Sequence, residues 1–205
     1  MNKRAAPQRD LFATPPARVE VPAVGLPDGF KYQPDALSFE QELKLAESFS
    51  SLTFKPFRFH GYLARRRVVS FGWRYDHAGA QLCEAEPMPR FLLPLREIAA
   101  GFAGVPAESL KQVQVSEYTP GAGIDWHRDK PAFKDIIAFS LLAPAKLRFR
   151  LRQEEGWKRV GLEVVPRSAY LLRGPARSFW EHSIPPVGVL RYSVTFRNLA
   201  ARAHY

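Results

Sequence analysis

The chain has 205 residues, 46% of them hydrophobic and 13% aromatic, with 30 Lys+Arg against 20 Asp+Glu and a formal net charge of +10. This supply of core-forming residues excludes wholesale disorder, and the length suits one compact domain with an N-terminal extension. The lone cysteine, Cys83, excludes an intramolecular disulfide framework, and no apolar run approaches the roughly 20 residues that span a bilayer. The opening MNKRAAPQRDLFATPPARVEVPAVG holds no apolar stretch fit for a secretory signal, so a cytoplasmic monomer is expected.

Residues 1–30 are Pro-rich and without periodicity, and predict a flexible arm. Ser38-Phe39-Glu40-Gln41 is an S-x-x-Q capping box that opens a helix running to about Leu52, with Leu45, Ala46, Phe49 and Leu52 on one face. Phe57–Tyr75 is rich in aromatic and β-branched residues with a Gly break, the pattern of a hairpin. A second helix is predicted from about Pro89 to Ala103, stopped by Gly104. From Val113 onward helical spacing gives way to short runs: VQVSEY, TPGAGI, DIIAFSLL, KLRFRLR, GWKRVGLEVV, RSAYLLRG and RYSVTFRN. Such spacing predicts an all-β barrel or jelly roll. The chain therefore divides into the arm (1–30), an extension with two helices and a hairpin (31–108) and a β core (109–205).

The positive charge is clustered. Five basic residues and no acid lie between Arg58 and Arg74, and nine basic residues against three acids lie between Lys146 and Arg177. Clustering of this kind suits a polyanion, nucleic acid above all, or simply a soluble basic surface. In Lys146–Arg152, Leu147, Phe149 and Leu151 alternate with Lys146, Arg148, Arg150 and Arg152. Four cations on one strand face, with no intervening acid, favour polyanion contact over a solvated face.

The chemistry lies in the β-rich half. In Trp126-His127-Arg128-Asp129, residues two apart on an extended chain point the same way, so His127 and Asp129 can reach one metal. His182, in Trp180-Glu181-His182-Ser183, supplies a third donor. Two histidines and a carboxylate make the facial triad of non-haem iron oxygenases; a hydrogen-bonded core histidine is the other reading of His182. In Arg191–Arg197 the odd positions are Arg, Ser, Thr and Arg and the even ones Tyr, Val and Phe. If the polar face lines a cavity, its arginines suit a small molecule with anionic ends; a surface strand is the alternative.

Taken together, His127-x-Asp129, His182 and the Arg191-x5-Arg197 string RYSVTFR resemble the AlkB family of Fe(II)- and 2-oxoglutarate-dependent dioxygenases. Tyr118-Thr119-Pro120-Gly121 matches that family's Tyr-x-x-Gly loop, and the likeness covers about residues 109–200. The resemblance implies a mainly β protein with flanking helices, its double-stranded β-helix (jelly-roll) core carrying Fe(II) on His127, Asp129 and His182. Arg191, assisted by Tyr118, would grip the distal carboxylate of 2-oxoglutarate, and Arg197 the end nearer the iron. Ser116 and Ser193 stand where the family commonly has asparagines toward that cosubstrate. Arg66-Arg67 and Phe71-Gly72-x-x-Tyr75 resemble the family's substrate lid, with Phe71, Trp73 or Tyr75 able to stack on an extruded base.

The implied reaction uses O2 and 2-oxoglutarate, releases succinate and CO2, and oxidises an N-alkyl carbon on alkylated DNA or RNA, which would be flipped out or single-stranded. Arg148 and Arg150 would contact the phosphate backbone. Pro131 stands where some members present an acid to the base. The same chemistry on a protein side chain, or a metal- or nucleic-acid-binding module without turnover, are the alternatives.

Overall fold

The computed structural model describes residues 25–59, 62–76, 79 and 81–200, with only the backbone at 57–59 and 62–64. The predicted arm up to residue 24 lies outside the described residues. In chain order the elements are β1 (Phe30–Gln33), α1 (Phe39–Phe49), β2 (Lys55–Phe59), β3 (Tyr62–Phe71), β4 (Trp73–Asp76) and β5 (Gln81–Glu84). They continue with α2 (Leu93–Ala103), β6 (Gln112–Tyr118), β7 (Ile124–His127), β8 (Phe133–Leu141), β9 (Ala145–Arg152) and β10 (Trp157–Val164). The last are β11 (Ser168–Leu172), α3 (Gly174–Ser178), β12 (Glu181–Ile184) and β13 (Arg191–Leu199).

The two predicted helices form. Both hydrogen bonds of the capping box are made: the Ser38 backbone N–H donates to Gln41 Oε1 at 2.8 Å, and the Gln41 N–H to Ser38 Oγ at 3.1 Å. A 3-10 turn at Arg90–Leu92 leads into α2, which ends on Gly104 at φ 65, a left-handed conformation that favours glycine. TPGAGI, read as a strand, is instead mostly a turn: Gly121 sits at φ 81, and β7 begins only at Ile124. The strand at 81–84 has no local signal in the sequence.

The strands build a seven-stranded sheet in the order β1-β11-β8-β13-β6-β3-β2 and a four-stranded sheet in the order β10-β9-β12-β7; β4 and β5 pair separately. All pairings are antiparallel. Residues 30–33 and 55–71, assigned from sequence to the arm and extension, are thus hydrogen-bonded into the same large sheet as β6, β8, β11 and β13.

Period-two alternation sorts each large-sheet strand into two cores. On β8, Ile137 and Phe139 pack outward with Val194, Phe196, Phe49, Leu95 and Ala99 under α1 and α2. Ile136 and Ala138 pack inward with Tyr170, Leu172, Leu147, Phe149 and Ile184, between the two sheets. A strand covered on both faces is apolar on both, which explains the IIAFSLL run, where Ser140 is the one polar residue. The result is the expected jelly roll, with its interior between the sheets. Among the described residues no helix is long and apolar enough to cross a membrane.

Candidate active site

One end of the interior is polar. The inward positions of β6 and β13 bring Gln114, Ser116 and Tyr118 beside Ser193, Thr195 and Arg197 on one wall of a cavity. Its opposite wall carries His127, Asp129 and His182. His127 ends β7, and His182 lies across from it on β12 in register. Their ring centroids are 4.3 Å apart, and His182 Nε2 is 3.6 Å from Asp129 Oδ2. One ligand atom from each of the three lies within 4.8 Å of the others. His127 Nδ1 is 2.8 Å from the Asp125 carbonyl oxygen, which can only accept, so Nδ1 carries the proton and Nε2 is left for a metal.

The charge states suit a cation. Burial, reinforced by His127, pushes His182 down to about 3, and burial likewise lowers His127, so both imidazoles are neutral donors. Burial alone would raise the Asp129 carboxyl. The Arg197 guanidinium, with His182, His127 and Arg177, overcomes it and holds Asp129 well below the usual carboxylate range. Arg197 Nε donates to Asp129 Oδ1 at 3.0 Å, with Nη2 in ion-pair contact with the same oxygen at 2.9 Å, while Nη1 donates to Gln112 Oε1 at 2.9 Å. Its fork is therefore taken up by the aspartate, a positioning role that the sequence did not indicate.

Arg191 differs. It is fully buried, its Nε donates to Ser140 Oγ at 3.2 Å, and its guanidinium lies 5.0 Å from the centre of the Tyr118 ring. Neither Nη1 nor Nη2 has a hydrogen-bond partner among the described residues. A buried guanidinium whose terminal donors are unanswered is costly, and a carboxylate delivered beside Tyr118 is the group that satisfies them both. The neutral His–His–carboxylate donor set and this orphaned fork fit Fe(II) and a dicarboxylate cosubstrate.

Arg66 also lines the cavity, 5.9 Å from the Tyr118 ring centre. The same alternation that turns Arg66 inward turns Arg67 and Phe71 outward. Arg67 pairs with Glu117 at 2.6 Å, and Phe71, 5% exposed, is core beneath the helices. Neither can meet a base at the cavity, which corrects the lid reading for these two. Trp73 is half-buried on β4 outside the cavity lining; Tyr75 packs on the inner core with Lys130 Nζ 5.2 Å from its ring centre. Arg148 and Arg150 stand on the outer face of the small sheet. The acid missing from their own strand comes from β12: Glu181 pairs with Arg150 at 2.6 Å, and Arg148 Nε donates to Ser183 Oγ at 3.0 Å. The expectation of four unanswered cations is corrected to that extent.

Three contributors escaped the sequence reading. Tyr170 lines the cavity, its phenol pushed up to about 12 by burial. Gln112 braces Arg197. Arg177, on α3, is buried and donates to the Lys130 and Phe133 carbonyls, so it anchors the loop that follows Asp129. The only local signal for α3 was Gly174-Pro175, a proline placed where a helix starts.

The family model described as the 2OG-Fe(II) oxygenase superfamily matches residues 45–197, and the chain belongs to that superfamily. Fe(II), with 2-oxoglutarate and O2 as cosubstrates, comes with that membership. Similar proteins include the "Alkylated DNA repair protein ALKBH8 homolog" of Arabidopsis thaliana, 31% identical over 147 residues, 60% of this chain and 42% of that protein. "Uncharacterized protein L905" of Acanthamoeba polyphaga mimivirus is 32% identical over 101 residues, 43% of this chain and 48% of that protein. The chain thus spans less than half the length of these two relatives. In fold it is similar to a solved structure described as "The structure of OsALKBH1", with a TM-score of 0.61 at 14% identity, covering 83% of this chain and 96% of that one. The likeness to the AlkB family read from the motifs is borne out.

Proposed function

We propose that the chain is a dioxygenase that oxidatively removes alkyl groups from nucleobases in single-stranded or flipped-out DNA or RNA. The observation that carries the reaction type is the buried, unanswered Arg191 fork in the same jelly-roll interior as the His127–Asp129–His182 triad. The name of the Arabidopsis relative and the clustered positive charge support the substrate class.

Bound iron would supply O2 activation coupled to decarboxylation of 2-oxoglutarate. The chain's own residues do the rest. His127 and His182 offer neutral nitrogens and Asp129 a carboxylate held ionised by Arg197, so the donor set carries one negative charge. Arg191 and Tyr118 fix the far carboxylate of the cosubstrate, with the hydroxyls of Ser193 and Thr195 along the same wall. Ser116 is engaged by Gln114, whose Nε2 donates to its Oγ at 3.1 Å. The apolar neighbours Ile124, Ile136, Leu172 and Ile184 limit water around the reacting carbon. A base within a duplex cannot enter so enclosed a space, which demands extrusion or a single strand. Tyr75 faces the loop that follows Asp129, with Lys130 Nζ 5.2 Å from its ring centre. A repair role in a reducing cytoplasm accords with the lone Cys83.

The test is mass analysis of methylated oligonucleotides incubated with the protein, Fe(II) and 2-oxoglutarate. Loss of the methyl group, abolished by Asp129→Ala, is expected. Unchanged oligonucleotides with methyl loss or hydroxylation of peptides would transfer the activity to a protein side chain.

A further inference from the structure

The small sheet has two unlike faces. Within β12, His182 points inward to the triad while its neighbours Glu181 and Ser183 point outward and hold Arg150 and Arg148. On the outward face β9 presents Lys146, Arg148, Arg150 and Arg152, and Arg159 of β10 lies directly across from Arg150. Two indoles interleave with these cations. Arg148 and Arg150 lie 4.9 and 4.7 Å from the centre of Trp126; Arg150 and Arg152 lie 4.2 and 5.4 Å from that of Trp157. The order Arg148–Trp126–Arg150–Trp157–Arg152 is a ladder in which stacking holds the guanidiniums and leaves their edges able to donate.

This face carries five cations against Glu163 and Glu181, and Arg152 and Arg159 have no ion pair among the described residues. Successive cations on β9 are about 7 Å apart by strand geometry, a spacing that suits consecutive phosphates of an extended strand. A second feature joins this face to the cavity. A groove lined by Arg65, Arg148, Asp125, Gly121 and Pro186 shares Ile124 and Ile184 with the catalytic cavity. Arg148 belongs to both groove and ladder.

We propose that the groove and the outer face of the small sheet form a track for single-stranded nucleic acid, carrying the strand that flanks the reacting nucleotide. The proposal rests on the nucleic-acid reading above and adds where the substrate's backbone runs. It makes recognition of chain length separate from recognition of the reacting base. An acidic peptide is the competing occupant. The ladder favours nucleic acid, because planar guanidinium edges at regular spacing match evenly spaced phosphates.

The test measures binding of an unmodified single-stranded oligonucleotide of about 12 nucleotides across salt, together with turnover of a methylated oligonucleotide of that length and of a methylated trinucleotide. The double variant Arg152→Gln/Arg159→Gln should lower the log–log salt slope by about one to one and a half, since each phosphate contact on a single strand contributes about 0.7. It should raise KM for the long substrate, and leave the trinucleotide and substrate-independent succinate formation unchanged. Trp157→Leu keeps every charge but frees two guanidiniums, so affinity should drop about three- to tenfold with the salt slope intact. Wild-type binding that neither variant alters would overturn the track while leaving the nucleobase reading in place. A wild-type protein that neither binds nor demethylates any oligonucleotide would remove both. Equal competition by an acidic peptide, relieved by the same variants, would make the face a protein interface.

Discussion

Arg197 and Asp129 are joined through one carboxylate oxygen, Oδ1, which accepts from Nε at 3.0 Å and has the guanidinium's Nη2 2.9 Å away as an ion-pair contact. Oδ2 is thereby the oxygen turned toward His182, 3.6 Å from its Nε2. The arginine divides the aspartate into a braced oxygen and one left for a metal.

Replacing Arg197 by Gln should therefore weaken the metal site rather than the fold. Loss of such a supporting contact to a ligand typically costs 10- to 100-fold in metal affinity. Calorimetric titration with Mn(II), a redox-stable stand-in for Fe(II), should show that loss. Unchanged affinity would mean that Asp129 needs no brace.

Arg191 gives the opposite sign. With its Nη atoms unanswered it is a burden to the ligand-free chain, so Arg191→Met should keep or raise the melting temperature and abolish stabilisation by 2-oxoglutarate. In the wild type, cosubstrate at 100 times its Kd should add about 2.7 kcal/mol. Thermal melts with and without 2-oxoglutarate check both parts, and a strongly destabilised Arg191→Met protein would contradict the reading.

The histidines set a pH dependence for the metal-free protein. His182 takes up a proton near 6.5 when unfolded but only at about 3 when folded. Between these values the unfolded state binds more protons, so stability rises with pH and is lost as pH falls below about 6.5. At pH 5 one such histidine costs about 2 kcal/mol. Burial shifts His127 in the same direction. Melting temperatures of chelator-treated protein should fall from pH 7 to 5, less steeply for His182→Gln, whereas a flat profile would show solvated imidazoles.

Glu42 offers a test of the scaffold. Buried on α1, it accepts from the Leu142 backbone N–H at 2.8 Å and from Arg167 Nη1 at 3.1 Å. Leu142 and Arg167 sit at φ 70 and 64, a left-handed conformation that costs a non-glycine residue about 1–2 kcal/mol. One carboxylate pins both turns. Glu42→Ala should destabilise by about 2–3 kcal/mol in urea unfolding and Glu42→Gln by less, since the amide still accepts. Equal effects would deny the hydrogen bond to Leu142 any part.

What the sequence revealed was what is local or periodic. Ser38 and Gln41 announce a helix start within four residues, Gly104 a stop, and the alternation in RYSVTFR separates a polar wall from a core face. His127 and Asp129 are readable because two residues of extended chain bring them together. The partners of these groups were not readable. Glu181 neutralises Arg150 from another strand, Gln112 reaches Arg197 across the sheet, and Trp126 meets Arg148 only after β9, β12 and β7 have paired. Phe71 and Arg66 differ only in register, which the sequence of one strand does not disclose.

Oxidation at the His127–Asp129–His182 site is driven by 2-oxoglutarate and, on the proposed function, directed to nucleic acid. The most direct measurement is succinate release with Fe(II) and 2-oxoglutarate, with and without methylated single-stranded DNA, RNA or peptide pools. Release should be stimulated by a methylated oligonucleotide in step with aldehyde formation, and lost in Asp129→Ala. Release stimulated by peptides alone, or retained at the wild-type level in Asp129→Ala, would contradict this reading.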